Sequence, residues 1–477
     1  MSDLLDRLTE IVGAAAVDTD PAHLREMSQD RFKKYQSVHG IYDGPQPAAI
    51  VRAGSTEQVS AVLALADERR VPVVPRTGGT GTEGGLEVVV EGSIVLDGSA
   101  MDRVLAIDAV DMQATVQCGV RLADLEVALN AEGLTTGHSP QSQPLAMMGG
   151  LVATRSIGQL STLYGGIEDM VTGLEAVLPG GAVVRVRDVP RRAAGPDVRH
   201  VVIGNEGGLC FVTEVTVQVY PLPETRRFLG YFVDDLAAGA DVLRQVVTAG
   251  FRPSVCRVYD AGDAAQHFAG WPGWNDRSVL VVVAEGPRGI VAATAAEVQR
   301  LALEAGAESV DPALVEQWFG ALNWGPEKIE AEKEAMRTRA HLGYTTEVSV
   351  AWSRVAELHG SVLRRVREEF PHVADLTMLG AHSSHSYQTG TNLYFVYDYD
   401  IRCEPREEIV QYHQPLNAII VEEALRVGGS MVHHHGVGKY RTPWVEAEHG
   451  SSWRLLAGLK EVFDPHGVMN PGTVWPR

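Results

Sequence analysis

Two stretches of this 477-residue chain carry residue types suited to chemistry. The first is Val73–Gly85, Val-Val-Pro-Arg-Thr-Gly-Gly-Thr-Gly-Thr-Glu-Gly-Gly. Glycine lets the backbone take φ > 0 and lets a ligand approach with no Cβ in the way. Successive main-chain N–H groups in such a loop form a concavity that binds anions. The local reading is a diphosphate cradle. The second stretch is His433-His434-His435-Gly436. A histidine run suggests metal binding, and His382 and His385 are candidates to join it. No Asp or Cys stands at a recognisable ligand spacing, so no metal is assigned. Successive residues on an extended segment face opposite ways, so at most two of the three histidines should share one face.

Around these stretches the pattern gives the elements that must hold them. Gly79, Gly81 and Gly84 satisfy the G-x-G-x-x-G spacing, but that fingerprint needs a helix to start at the loop. Here the loop runs into a β-branched stretch, Leu86–Leu96, broken by Gly92. Ser55-Thr-Glu-Gln58 is a capping box, followed by a helical stripe at Val59, Val62, Leu63 and Ala66. With strands at Pro45–Arg52 and Pro72–Pro75 it makes a strand–helix–strand unit that delivers the loop. Arg103–Asp108 and Met112–Gly119 read as a hairpin, and Leu122–Ala131 as a helix stopped by Gly133. Thr135–Ser142, Gly149-Gly150 and Thr154–Gly158 are polar and small-residue-rich, which would let a flat ring lie against the backbone. Ile203–Gly208 is a second glycine turn, leading into a strand at Phe211–Tyr220.

Beyond Pro221-Leu-Pro223 the texture changes. Helices at Leu236–Ala249, Ile290–Ala305, Ser353–Phe370 and Glu404–Val427 alternate with strands at Cys256–Tyr259, Val279–Ala284, Thr346–Val350 and Asn392–Tyr399. A charged helical stretch lies around Glu327–Arg339, and Ala381–Gly390 is a polar run. This block reads as a second α/β domain with an antiparallel sheet.

Composition bounds the function. The chain is 45 % hydrophobic and long enough for two or three domains. Its formal charge, 41 − 61 = −20, argues against nucleic acid or an anionic membrane as partner. Cys118, Cys210, Cys256 and Cys403 are far apart and read as buried thiols in a reducing compartment. Met1–Glu10 is acidic with no apolar segment, against a signal peptide. No run approaches the roughly 20 apolar residues of a membrane span. The expectation is a soluble cytoplasmic protein that takes a small-molecule substrate, with a homodimer as a compatible assembly.

Taken together, these stretches resemble the flavoproteins of the vanillyl-alcohol oxidase / p-cresol methylhydroxylase family, and within it the alkyldihydroxyacetonephosphate synthase type. Pro75–Gly81, Thr136–Ser142 with Gly149-Gly150 and Thr154-Arg-Ser156, Tyr164–Asp169, Gly195-Pro-Asp197, Gly204–Gly207, Val212-Thr-Glu214, His433–Gly438 and Asp464–Gly472 match its motifs in order. The resemblance implies an α+β chain: a two-part FAD-binding domain of p-cresol methylhydroxylase type, residues 1–223 and 431–477, and an α/β cap domain, residues 224–430. Substrate would lie between them.

The cofactor implied is FAD, held non-covalently, because Thr80 follows Gly78-Gly79 where covalent members commonly carry a histidine. Its implied contacts are Pro75, Arg76, Thr77, Gly78, Gly79, Thr80, Gly81, His138, Ser139, Gln141, Ser142, Gly149, Gly150, Thr154, Ser156, Glu206, Gly207 and Val212. Catalytic roles are implied for Tyr387, His433, His434, His435 and Arg257. The substrate-phosphate arginine of the synthase falls on Lys333, which offers a point charge rather than a bidentate fork. The leading expectation is a synthase-like flavoenzyme acting on an activated keto substrate. The second is a dehydrogenase or oxidase that takes a hydride from a hydroxylated carbon. The His-His-Gly tail, in place of Glu-His-Gly, favours the first.

Overall fold

A computed structural model describes residues 2–476. The strand–helix–strand unit forms as the pattern requires. Strands Ala49–Arg52 and Val73–Arg76 flank Ile94–Asp97, both parallel to it, in a small sheet closed on its other edge by Val17–Asp18. The helix between them, Thr56–Arg69, is capped by Ser55, whose Oγ accepts from Gln58 N at 3.3 Å. Its stripe of Val59, Val62 and Leu63 is fully buried against Leu8, Val51 and Leu96. Val73–Arg76 therefore ends at a fixed place, and the glycine loop begins there.

A second sheet follows, five antiparallel strands that include the expected hairpin, Val104–Asp108 with Gln113–Gln117. Its long strand Phe211–Gln218 pairs on both edges and carries Val212 toward the ligand cavity. Gly149-Gly150 lies inside a short helix, Met148–Ala153, where the sequence read as a loop. The glycines are needed there for closeness: a Cβ on Gly149 would stand 2.7 Å from Cys118 Cβ.

The third sheet is antiparallel throughout, seven strands drawn from Thr225 to Asp400. Helices Leu236–Thr248, Arg288–Glu304, Val355–Glu369 and Gln414–Arg426 bury their apolar faces against it in one large core. Two elements depart from the sequence reading. Leu376–Ser383 is a strand, although its last residues belong to the polar run. The polar side chains at its end, His382 and Ser383, are buried and hydrogen-bonded inside the fold, to Asp263 and Thr391. The helical stretch after Glu404 opens with a π-turn, Ile409–His413, before Gln414–Arg426. Pro415, within the first turn, lacks the N–H that would continue a regular ladder backwards.

The C-terminal segment returns to the first sheet. Met469 bridges Val73, and Asn470 N donates to Val73 O at 2.8 Å. Lys439 Nζ spans Gly85 O, Asn470 Oδ1 and Thr473 Oγ1 at 2.9–3.0 Å. The histidine run is thus delivered beside the glycine cradle by residues more than 300 positions away in sequence. The cysteines are unpaired; Cys118, Cys210 and Cys256 are buried. Among the described residues no helix is long and apolar enough to cross a membrane.

Candidate active site

One cavity of about 670 Å³ runs between the two glycine loops and the seven-stranded sheet. Pro75, Arg76, Thr77, Gly78, Gly79, Thr80 and Gly81 line it from one side. Gln141, Ser142, Gly149, Gly150, Thr154, Ser156, Glu206, Gly207 and Val212 line it from the other. The backbone there tolerates little else. Gly79 and Gly207 sit at φ +66° and +73°, conformations that favour glycine. A Cβ on Gly78 would stand 2.9 Å from both Leu145 O and Met147 N, and one on Gly207 would stand 2.9 Å from the Pro75 ring. Asp30 adds a buried, unpartnered Oδ2 on the same wall, suited to a polyol hydroxyl. Its pKa is pushed up to about 6, chiefly by burial. A close-walled glycine cradle with a buried acceptor fits FAD, whose pyrophosphate would take the N–H groups of the loop.

His138 and Ser139 lie elsewhere. They line a separate cavity of about 320 Å³, beside Glu126, Arg226 and Glu285. His138 Nε2 reaches Ser156 Oγ at 3.3 Å, so it supports the cradle from behind. Burial lowers its pKa to about 4.

The histidine run splits. His434 and His435 line the main cavity; His433 does not. Adjacent histidines face one cavity because the segment is not extended: Glu347 Oε1 accepts from both His434 N (3.0 Å) and His435 N (2.8 Å) and bends the chain around itself. The other Glu347 oxygen pairs with His435 Nδ1 and with Arg441, each at 2.8 Å. Arg441 is fully buried and also meets Glu83 at 3.1 Å. Burial alone would lower His435, but the charge and hydrogen bond of Glu347 outweigh it and leave the imidazole above its ordinary value. Burial would likewise raise Glu347, yet Arg441 and His435 hold it well below the carboxylate range.

Tyr387 and His433 form a pair just outside the cavity. The phenol meets His433 Nε2 at 2.7 Å, and His433 Nδ1 meets His434 Nδ1 at 2.8 Å. Tyr387 is 40 % exposed. A continuous hydrogen-bonded chain therefore joins the cavity wall at His434 to the outer surface. Burial pushes His433 down to about 4 and His434 well below its usual value, so both rings are neutral near pH 7. A neutral imidazole has one donor and one acceptor nitrogen, which is what proton passage along such a chain requires.

Arg257 lines the cavity, 4 % exposed on strand Val255–Tyr259. Its guanidinium holds Tyr259 OH at 3.0 Å and Gln159 Oε1 at 3.2 Å, and its Nε has no partner. Lys333 is not brought to the cavity. It sits on the outer face of helix Pro326–Arg339, its side chain 40 % exposed and paired with Glu330. The same helix turns Glu332 inward instead, to Arg31 (2.6 Å) and Lys34 (2.7 Å) on the cavity wall. A helix places residues one apart about 100° around its axis, so Glu332 and Lys333 cannot share that face.

Sequence reasoning also missed Glu83, Glu347 and Tyr394. Only Glu83, inside the glycine stretch Val73–Gly85, carries a positional signal. His382 and His385, noted as candidates for a metal, do line the cavity. His385, His433 and His434 bring ring nitrogens within 4.8 Å of one another, as do the donor atoms of Glu83, Glu347 and His435. The second group is already engaged by Arg441.

Comparison with known proteins gives the chain its family. Residues 47–187 match the FAD binding domain, and residues 222–474 the C-terminal domain of FAD linked oxidases. The chain is 56 % identical to an uncharacterized FAD-linked oxidoreductase, YgcU, of Escherichia coli (strain K12), over 99 % of this chain and 98 % of that one. It is 28 % identical to the glycolate oxidase subunit GlcD of Bacillus subtilis (strain 168), over 100 % and 97 %. In three dimensions it is similar to alkyldihydroxyacetonephosphate synthase, with a TM-score of 0.80, 22 % identity and coverage of 99 % and 85 %. It is also similar to p-cresol methylhydroxylase with substrate bound, with a TM-score of 0.75, 17 % identity and coverage of 99 % and 96 %. The expected α+β fold of p-cresol methylhydroxylase type therefore holds. The chain belongs to the FAD-linked oxidoreductases, enzymes built from an FAD binding domain and a FAD-linked oxidase C-terminal domain.

Proposed function

We propose that the protein oxidises a small hydroxylated anion, such as a 2-hydroxy acid, at a non-covalently held FAD. The observation that carries this reading is the chain from His434 through His433 to the half-exposed Tyr387. FAD, when bound, supplies the two-electron acceptor. Residues 75–81, 149–156 and 206–207 hold its diphosphate side, in a domain made of 1–223 and 431–477. The cap, 224–430, brings substrate groups over the cavity. Arg257 binds the substrate carboxylate. Removing a hydride from a carbinol carbon leaves one proton to be moved. The neutral His434 and His433 pass protons between the cavity and Tyr387, which opens to solvent. We place the enzyme in the cytoplasm, where four unpaired cysteines remain reduced.

A synthase-like reaction without net redox is the second reading. The TM-score to the synthase and the His-His-Gly tail favour it. Against it, Lys333, the cation expected for a substrate phosphate, points to solvent, and Lys34 and Arg31 are already engaged by Glu332. An anaerobic spectral screen separates the two. Net oxidation must bleach the oxidised flavin band and leave it bleached, whereas a synthase cycle returns it unchanged.

A further inference from the structure

His382 lines the cavity at the end of strand Leu376–Ser383, separated from His434 by the Tyr394 ring, which stacks on both. Its Nδ1 lies 2.5 Å from Asp263 Oδ2. Asp263 is fully buried on helix Ala261–Phe268, and that helix is pressed onto the strand by two glycines. A Cβ on Gly380 would stand 2.3 Å from Asp263 N, and one on Gly262 would stand 2.6 Å from Leu379 O. Asp260 caps the helix by accepting from Asp263 N at 2.9 Å. The aspartate is thus fixed before the imidazole reaches it. The ring is held flat as well, stacked on Tyr394 at 4.7 Å and 19°. Among the described residues its other nitrogen, Nε2, makes no hydrogen bond, and His382 lines the same cavity as Arg257.

We propose that Asp263 and His382 are a proton-accepting pair for the substrate, with His382 Nε2 taking the hydroxyl proton of the carbinol. This rests on the oxidation reading above and names the group that acts first. The substrate O–H bond breaks and its proton goes to Nε2. The O–H electron pair forms the new carbonyl bond, and the carbinol C–H pair would leave as a hydride to the two-electron acceptor that FAD supplies when bound. Asp263 stays ionised throughout, fixes the Nδ1–H tautomer and stabilises the imidazolium that forms. The groups around the pair suit this. Burial lowers His382, and Arg257 and His267 add to that, while Asp263 opposes it; the resting ring is neutral and able to accept. Burial would raise Asp263, but His382 and His267 hold it well below the carboxylate range. His267 Nε2, 3.4 Å from Asp263 Oδ1, is half-exposed. Tyr394 stacks on His382 and Tyr259 packs against it at a tilt of 37°, and neither hydrogen-bonds to it.

The test is anaerobic stopped-flow reduction of the flavin by a hydroxy acid in wild type, His382→Gln and Asp263→Asn, across pH. His382→Gln should keep its flavin and slow reduction about 10²–10⁴-fold, the range for a lost acid–base group. The wild-type rate should fall as pH drops below the ordinary histidine range, and this limb should vanish in His382→Gln. Reduction at the wild-type rate with the same limb would overturn the proposal. Nitrogen-15 NMR of labelled histidine gives a readout independent of turnover. At pH 7 His382 should carry its proton on Nδ1, and Asp263→Asn should disturb that signal. The opposite tautomer would overturn the pair whatever the enzyme oxidises. No reduction of wild type by any hydroxylated compound, with the Nδ1–H tautomer in place, would instead refute the oxidation reading and with it the role of His382 as base.

Discussion

Tyr387 shows what residue types alone convey and what they do not. Motif position marks it as a proton-handling residue, and its hydroxyl does meet a histidine at 2.7 Å. Sequence could not say that the phenol stands outside the cavity and reaches it only through His433 and His434. That follows from the bend Glu347 imposes on the run, and Glu347 lies 86 positions before His433 in an ordinary-looking strand. Tyr387→Phe keeps the ring and removes the end of the chain. Steady-state turnover should fall on the order of 10²-fold with flavin content unchanged; turnover equal to wild type would make the chain irrelevant. Arg441 offers the sharpest structural test at this scale. Arg441→Met leaves Glu347 and Glu83 buried without their cation, a loss of about 3–5 kcal/mol. Urea titration of the flavin-free protein should show it as a lower midpoint.

Among the elements, the glycine loop and the strand before it were the most legible. Their signal is local: an apolar run, then residues only a ligand-facing turn needs. Gly207 is the second anchor of the same surface, at φ +73° against the Pro75 ring. Gly207→Val should abolish FAD binding, seen as colourless protein of normal helical content; full flavin occupancy would move the cradle elsewhere. The strand Leu376–Ser383 was not legible, because His382, Ser383 and Ser384 are polar yet buried at 8 % exposure or less. Their partners are Asp263, 119 positions away, and Thr391 and Asn392 on the paired strand, contacts that exist only once the sheet has formed.

For the whole molecule, the two halves of the chain meet through buried charge rather than apolar contact alone. Glu83 of the glycine loop, Glu347 of the antiparallel sheet and Arg441 of the returning segment form one cluster. Only the loop member could be guessed from sequence, since the cluster exists only once all three segments are assembled. Such burial makes stability depend on pH. Glu408, fully buried against Tyr399, has its pKa pushed by burial from 4.5 to about 7. A carboxyl raised on folding costs stability as pH rises from its unfolded to its folded pKa. His435, also raised, adds stability below its unfolded value that is lost as pH climbs through its folded one. Glu408 thus favours pH 6 over pH 8, while the buried His138, His433 and His434, whose values are lowered on folding, add stability as pH rises through the ordinary histidine range, so the Glu408 contribution is read from its own variant. Glu408→Gln should recover on the order of 3 kcal/mol at pH 8 and little near pH 4, at about 1.36 kcal/mol per pH unit; equal effects at both would refute this assignment. The most direct measurement of the catalytic claim is anaerobic titration of the yellow holoenzyme with 2-hydroxy acids and phosphorylated ketones. Saturable, lasting bleaching by a hydroxy acid is expected, slowed at least ~10²-fold in His382→Gln. Bleaching by none of the acids, with a phosphorylated ketone perturbing the flavin spectrum and then restoring it, would contradict it.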